Sequence, residues 1–114
     1  MIIEIKLPFE LESKELEAAF KYKAKNYIAN SAMPNNFQAM ENYIKNNFNR
    51  NTSLRKNLID IINTLKFSKG KDVYKVIIEQ DKLDKIARLI TFGNREIKGN
   101  PILLKAFEYA KTQL

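Results

Sequence analysis

The sequence predicts an α+β fold in a single domain, residues 1–114: a small antiparallel sheet packed by a long N-terminal helix and by C-terminal helices. Three observations predict it. Apolar residues alternate with period two near the N-terminus and again between residues 58 and 79. They recur with helical spacing between residues 16 and 48 and from residue 83 onward. A polar turn, Ser68-Lys69-Gly70-Lys71, separates two β-rich runs in the middle of the chain. Strand, helices, hairpin and helices in that order make a sheet with helices on one face.

Ile3 and Ile5 alternate with Glu4 and Lys6, giving a short first strand that Pro8 ends, because proline donates nothing to a sheet ladder. Ser13 offers a helix cap, with Glu15 and Glu17 in the first turn where acids suit the helix dipole. Leu16, Phe20, Ala24, Tyr27 and Ile28 then form one apolar stripe, and Pro34 stops the helix near Ala32. Phe37, Met40, Ile44 and Phe48 predict a second helix, capped by Asn35 or Asn36 and followed by a polar loop, Asn49 to Ser53. In residues 58–67, Ile59, Ile61, Leu65 and Phe67 fall on one side and Asp60, Thr64 and Lys66 on the other, which predicts a strand. Val73 to Glu79 is its hairpin partner. Leu83, Ile86, Ala87 and Ile90 return to helical spacing behind Asp81 as a cap, and Gly93 ends that helix. A seven-residue loop, Asn94 to Asn100, leads to Pro101 at the start of a last helix carrying Leu103, Phe107, Ala110 and Leu114.

Composition removes whole classes of chemistry. The chain has no cysteine and no histidine, so thiolate zinc sites, disulfides, Cys nucleophiles and Ser–His dyads are excluded. Three glycines cannot build a phosphate-binding loop. Glu79, Asp81 and Asp84 read as a helix cap with solvated charges, among Lys82 and Lys85, and not as a metal site. Thr52 and Ser53 lack an activating base, and nothing points to a buried Lys56. The reading is a non-enzyme without cofactor or metal. It carries no signal-peptide pattern and no apolar run of membrane-spanning length.

Charge is the feature that stands out. Twenty Lys and Arg against thirteen Asp and Glu give +7, and residues 21–56 alone hold seven bases against Glu41. Lys21, Lys25, Arg50, Arg55 and Lys56 are therefore candidate phosphate contacts, with Tyr22, Tyr27, Tyr43 and Phe48 interleaved among the bases. Thirteen asparagines allow a second reading, a solvated surface from a Lys- and Asn-rich composition.

From Asn51 onward the chain resembles the tail-completion, or head–tail joining (neck), proteins of tailed bacteriophages. That family carries a Thr-x-x-Leu-Arg element, an Ala-x-x-hydrophobic-Glu-Phe-Gly motif, a variable loop and a Pro-Phe-Leu-x-Pro-Ala-like start to its final helix. Here Thr52-Ser53-Leu54-Arg55, with one residue fewer between Thr and Leu, Ala87-Arg88-Leu89-Ile90-Thr91-Phe92-Gly93 and Pro101-Ile102-Leu103-Leu104-Lys105-Ala106-Phe107 stand in those places. Thr91 replaces the family's usual glutamate, and Lys105 its frequent second proline. The resemblance implies a virion structural protein assembled in the bacterial cytoplasm. It would form a ring at the neck or tail, contacting copies of itself, neighbouring connector or tail proteins and, weakly, DNA. It makes Leu54, Arg55, Phe92, Gly93 and Pro101 structural motif residues, and Arg88, Arg95, Glu96, Ile97 and Lys98 subunit-interface candidates. Phe92 is expected to bury its ring. Ile97, apolar among charges, either folds inward or docks on a neighbour. The competing reading from charge is a small basic nucleic-acid-binding regulator of a mobile element; a third is an inhibitor or antitoxin aimed at one protein.

Overall fold

A computed structural model describes residues 1–5, 14–69 and 73–114. Pro8 as a strand stop, Ser13 as a cap and the Gly70-Lys71 turn lie outside the described residues. The element order is β1 (Ile2–Ile5), α1 (Lys14–Asn30), α2 (Phe37–Phe48), α3 (Leu54–Asn63), β2 (Lys66–Lys69), β3 (Tyr74–Ile77), α4 (Asp81–Phe92) and α5 (Ile102–Thr112). This is an α+β fold with a three-stranded antiparallel sheet in the order β1-β3-β2.

The largest departure from expectation is α3. Residues 58–67 are expected as a strand, yet Leu54–Asn63 is helical and only Lys66–Lys69 pairs with β3, so that Ser68 and Lys69, expected in the turn, pair with Lys75 and Tyr74 as the second half of β2. Leu54, Leu58, Ile61, Ile62 and Leu65 are all buried. Their spacing of four, three, one and three residues is a helical stripe that continues into the strand. Ser53 is its cap, not a loop residue: the Ser53 hydroxyl accepts from Lys56 N–H at 3.1 Å. The Glu41 carboxylate accepts from Leu54 N–H at 2.7 Å, a second cap supplied by α2. Other predicted caps shift by a residue. Gln80 caps α4 with Asp81 inside the helix, and Pro101 itself holds the cap position of α5; Asn36 leads α2 without a side-chain cap bond.

Register sets the sheet's two faces. Ile3, Val76 and Phe67 stand opposite one another on the face toward the helices. Glu4, Lys75 and Ser68 form a row on the other face, beside the exposed Ile2. Phe20 of α1 joins the layers, its ring edge-on to Phe67 at 5.6 Å and tilted against Phe107 of α5 at 5.7 Å. Each such aromatic contact adds roughly 0.5–1.5 kcal/mol beyond the area buried.

The joint between α1 and α3 is polar. Arg55, the second residue of α3, turns its guanidinium to the C-terminus of α1, where Nη1 donates to the carbonyls of Ile28, Ala29 (3.1 Å) and Ser31 (3.0 Å). The Ile28 carbonyl also accepts from Ser31 N–H at 3.3 Å, and the group carries the negative end of the helix dipole, so a cation there completes its hydrogen bonding and suits the dipole. Arg55→Met, which keeps the alkyl chain, should cost about 2–3 kcal/mol, the value of charge-assisted hydrogen bonds to partners left unmade. Arg55→Lys should recover only part of it, because the shorter, more strongly hydrated ammonium does not take the place of the guanidinium. Urea midpoints of the three proteins test this; equal midpoints would show that the clamp contributes nothing.

Candidate functional site

Two regions gather the residues that sequence singled out: the loop between α4 and α5, and the basic segment around α1 and α3. In the first, Gly93 has φ of +71° and donates its N–H to Leu89 O at 2.8 Å, closing α4. A Cβ there would collide with the Ile97 carbonyl oxygen, so glycine is required by both conformation and space. Asn94 then organises the turn: its side-chain oxygen accepts from the N–H groups of Glu96 and Ile97, each at 2.8 Å. Asn94 N–H donates to Ile97 O, and Asn100 N–H reaches back to Ile90 O at 2.7 Å. From α2, Asn36 donates through Nδ2 to Lys98 O at 3.0 Å. The loop is pinned at both ends and in its middle.

One expectation reverses here and one alternative is decided. Phe92, expected in the core, is 68% exposed, whereas Ile97, an interface candidate that could also fold inward, does fold inward and is 5% exposed. Helical geometry explains the first: two residues past buried Ile90, Phe92 lies about 200° around the helix, on the line of Lys85 and Arg88. The Asn94 turn explains the second, since it folds the chain over and directs Ile97 into the core. Arg95, Glu96 and Lys98 remain exposed, as does Arg88, which pairs with Asp84 at 3.1 Å. Leu54 is fully buried and Pro101 exposed at the head of α5.

The second region does not form one basic face. Arg55 is spent on α1. Arg50 donates to Asn57 Oδ1 at 2.8 Å and to Asp60 at 2.6 Å, and Lys56 pairs with the other oxygen of Asp60 at 2.5 Å. Asn57 is buried, and this bond satisfies its carbonyl oxygen while its amide donates to Ser53 O. Burial alone would raise the Asp60 carboxyl, but the hydrogen bonds and charges of Lys56 and Arg50 outweigh it and hold the pKa below 3.8. Lys21 reaches Asn63 O at 3.3 Å and lies 6.0 Å over the Phe67 ring. Of the five candidate phosphate contacts, only Lys25 keeps its charge unengaged among the described residues.

The acids at the start of α4 are likewise separated by their partners. Asp81 pairs with Lys85 at 3.1 Å, and Asp84 binds the Met1 ammonium and Arg88. Burial raises the Asp84 carboxyl, and those two cations more than offset it, leaving the pKa lowered. Among the described residues no three acids converge as metal ligands would, and no helix is long and apolar enough to cross a membrane.

What sequence reading missed lies across the α1–α5 contact. Tyr27 and Tyr109 pack with ring centroids 5.4 Å apart. Beside them a cleft of about 260 Å³ is lined by Tyr27, Ser31, Met33, Asn35, Asn100 and Lys105. The available signal was negative: residues 18–40 and 97–107 contain no Asp or Glu. Searches of protein-family models, curated proteins and solved structures find no match to this chain.

Two measurements follow. Ile97→Ala should lower stability by about 2–4 kcal/mol, as large-to-small core changes do. Phe92→Ala should stay within about 0.5 kcal/mol of the parent. Urea denaturation decides, and a costly Phe92→Ala with a neutral Ile97→Ala would restore the opposite burial. For pH, a carboxyl whose folded pKa is depressed adds stability above its unfolded pKa and loses it as pH falls through the folded one. The thermal advantage of the parent over Asp60→Asn should therefore be constant near neutrality and shrink below pH 3.8. Melting both proteins from about pH 7 to about pH 3 tests it; an advantage unchanged throughout would contradict the ion-pair assignment.

Proposed function

We propose that this protein is a non-catalytic structural subunit of a phage or phage-like particle, a neck or tail-completion component that joins head and tail within a ring. The reading rests on the resemblance of residues 51–107 to that family. One observation supports it most: Phe92 is an exposed aromatic on a rigid platform. A large ring 68% open to water costs solubility unless something covers it. Aromatic and Arg side chains are the types that anchor protein interfaces, and here Phe92 continues the line of Arg88 and stands beside a loop carrying Arg95. The loop's internal hydrogen bonds mean that little ordering entropy is lost on docking.

On this reading Ile97 is a support and Phe92 the contact. The ring is heterologous, Phe92 of one subunit meeting a different patch on the next. Arg55 acts at a distance from the contact by setting the joint between α1 and α3, and Gly93, next to Phe92, sets the exit of the loop from α4.

Negative-stain electron microscopy and native mass spectrometry of the concentrated protein test the proposal. A closed ring is expected, with Phe92→Asp leaving monomers whose melting temperature stays within about 2 °C of the parent. A parent chain monomeric at all concentrations, alone and with the connector it would join, overturns the ring. Unimpaired rings from Phe92→Asp overturn the assigned contact.

A further inference from the structure

We propose that the end of the molecule formed by the second half of α1, the connection to α2 and the beginning of α5 binds single-stranded nucleic acid. This goes beyond the ring reading and holds whether or not rings form.

Charge is the first support. Two stretches remote in sequence, 18–40 and 97–107, hold five lysines and no acid: Lys21, Lys23, Lys25, Lys98 and Lys105. The fold brings the two stretches together, since α1 packs along α5 and Asn36 is hydrogen-bonded to the Lys98 carbonyl; Lys23 shares the helix line of Tyr27 and Ser31, whereas Lys25 lies about 200° around α1 from Tyr27. Lys21 is committed to Asn63 O, but the other four form no ion pair among the described residues. By contrast, Arg50, Lys56, Lys85 and Arg88 each face an aspartate. Positive charge therefore predominates at this end of the molecule, with Glu108 one turn beyond Lys105 as the acid at its border, and an anionic ligand gains there.

Shape and side-chain chemistry are the second. The cleft of about 260 Å³ has Tyr27, Lys105, Asn35 and Asn100 in its lining, and the carboxamides of both asparagines make no hydrogen bond among the described residues. Tyr27 is braced by Tyr109, itself 37% exposed, so the aromatic wall is held in place before any ligand arrives. Lys23 lies one turn before Tyr27 on α1, and Lys105 one turn before Tyr109 on α5, so each tyrosine has a lysine as its i,i+4 neighbour on the same helix line. An aromatic face flanked by lysines matches a base with a phosphate on either side. Carboxamides donate to and accept from any base edge, so strong sequence preference is not expected. A duplex keeps its bases stacked on one another and closed to tyrosine, which is why the single strand is the fitting partner.

Fluorescence anisotropy of the full chain with a labelled oligothymidylate of about twelve nucleotides tests this. Binding should weaken several-fold between about 50 and 200 mM salt, as expected for two or three phosphates contacted. Lys105→Glu and Tyr109→Ala, both at exposed positions, should each weaken it about tenfold while circular dichroism shows an unchanged fold. Lys82→Glu on α4, outside this face, should have no more than a small effect. Competition by a duplex of the same length should be at least tenfold poorer. No binding at low salt, or equal binding by all three variants, overturns the proposal. So does equal competition by the duplex, or by polyglutamate, which would make the face a general polyanion surface or a docking site for an acidic protein.

Discussion

Three helices of this protein meet at Arg55. Its guanidinium takes up the carbonyls that end α1, while the same two residues, Leu54 and Arg55, begin α3. Leu54 N–H is held by Glu41 of α2, so α1, α2 and α3 are locked to one another within a single dipeptide. Apolar packing has no direction and would tolerate many helix crossings. Hydrogen bonding from one guanidinium nitrogen to particular carbonyls does have direction, and it selects one. The chain's position after α1 thereby decides where α3 lies, and with it where β2 enters the sheet beside β3.

That arrangement changes the meaning of the chain's basicity. A run of seven bases against one acid looks like a ligand-binding face when read along the sequence. In space, Glu41 has gone to a helix N-terminus, Arg55 to a helix C-terminus, and Arg50 and Lys56 to Asp60. Linear charge density cannot show this, because Asp60 is just outside the run and the α1 carbonyls are not charges at all. The lysines without an ion pair that border the α1–α5 end come from both halves of the chain, Lys23 from one and Lys98 and Lys105 from the other.

The elements with clean periodicity were legible: β1, α1, α2, α4, α5 and the pairing of two central strands follow from apolar spacing and from Gly93 and Pro34. The failure at 58–67 has a physical source. Two pairs of adjacent large apolar residues, Leu58-Ile59 and Ile61-Ile62, match a helical stripe and, with alternate members chosen, a strand as well. Isoleucine's β preference favoured the strand, and tertiary burial decided for the helix. The cap at Ser53 was the discriminating feature, because a strand has no use for it. In the loop, the exposure of Phe92 and the burial of Ile97 have related reasons. Phe92 could have been placed by helical angle alone, whereas the inward path of Ile97 depends on the Asn94 turn, whose side-chain oxygen reaches two N–H groups.

A pinned loop and a predominantly positive face divide the surface into two kinds of exposure. Around Phe92 the charges are mixed: Arg88 has Asp84, Lys85 has Asp81, and Glu96 sits between Arg95 and Lys98. Long-range attraction is weak there, so recognition depends on the fit of a ring whose direction is held by backbone hydrogen bonds. Around Tyr27 and Lys105 the opposite applies, because charge mainly of one sign is screened by salt and acts before contact. Asn36, hydrogen-bonded to Lys98, stands between the two, joining the linker that borders the cleft to the loop that presents Phe92.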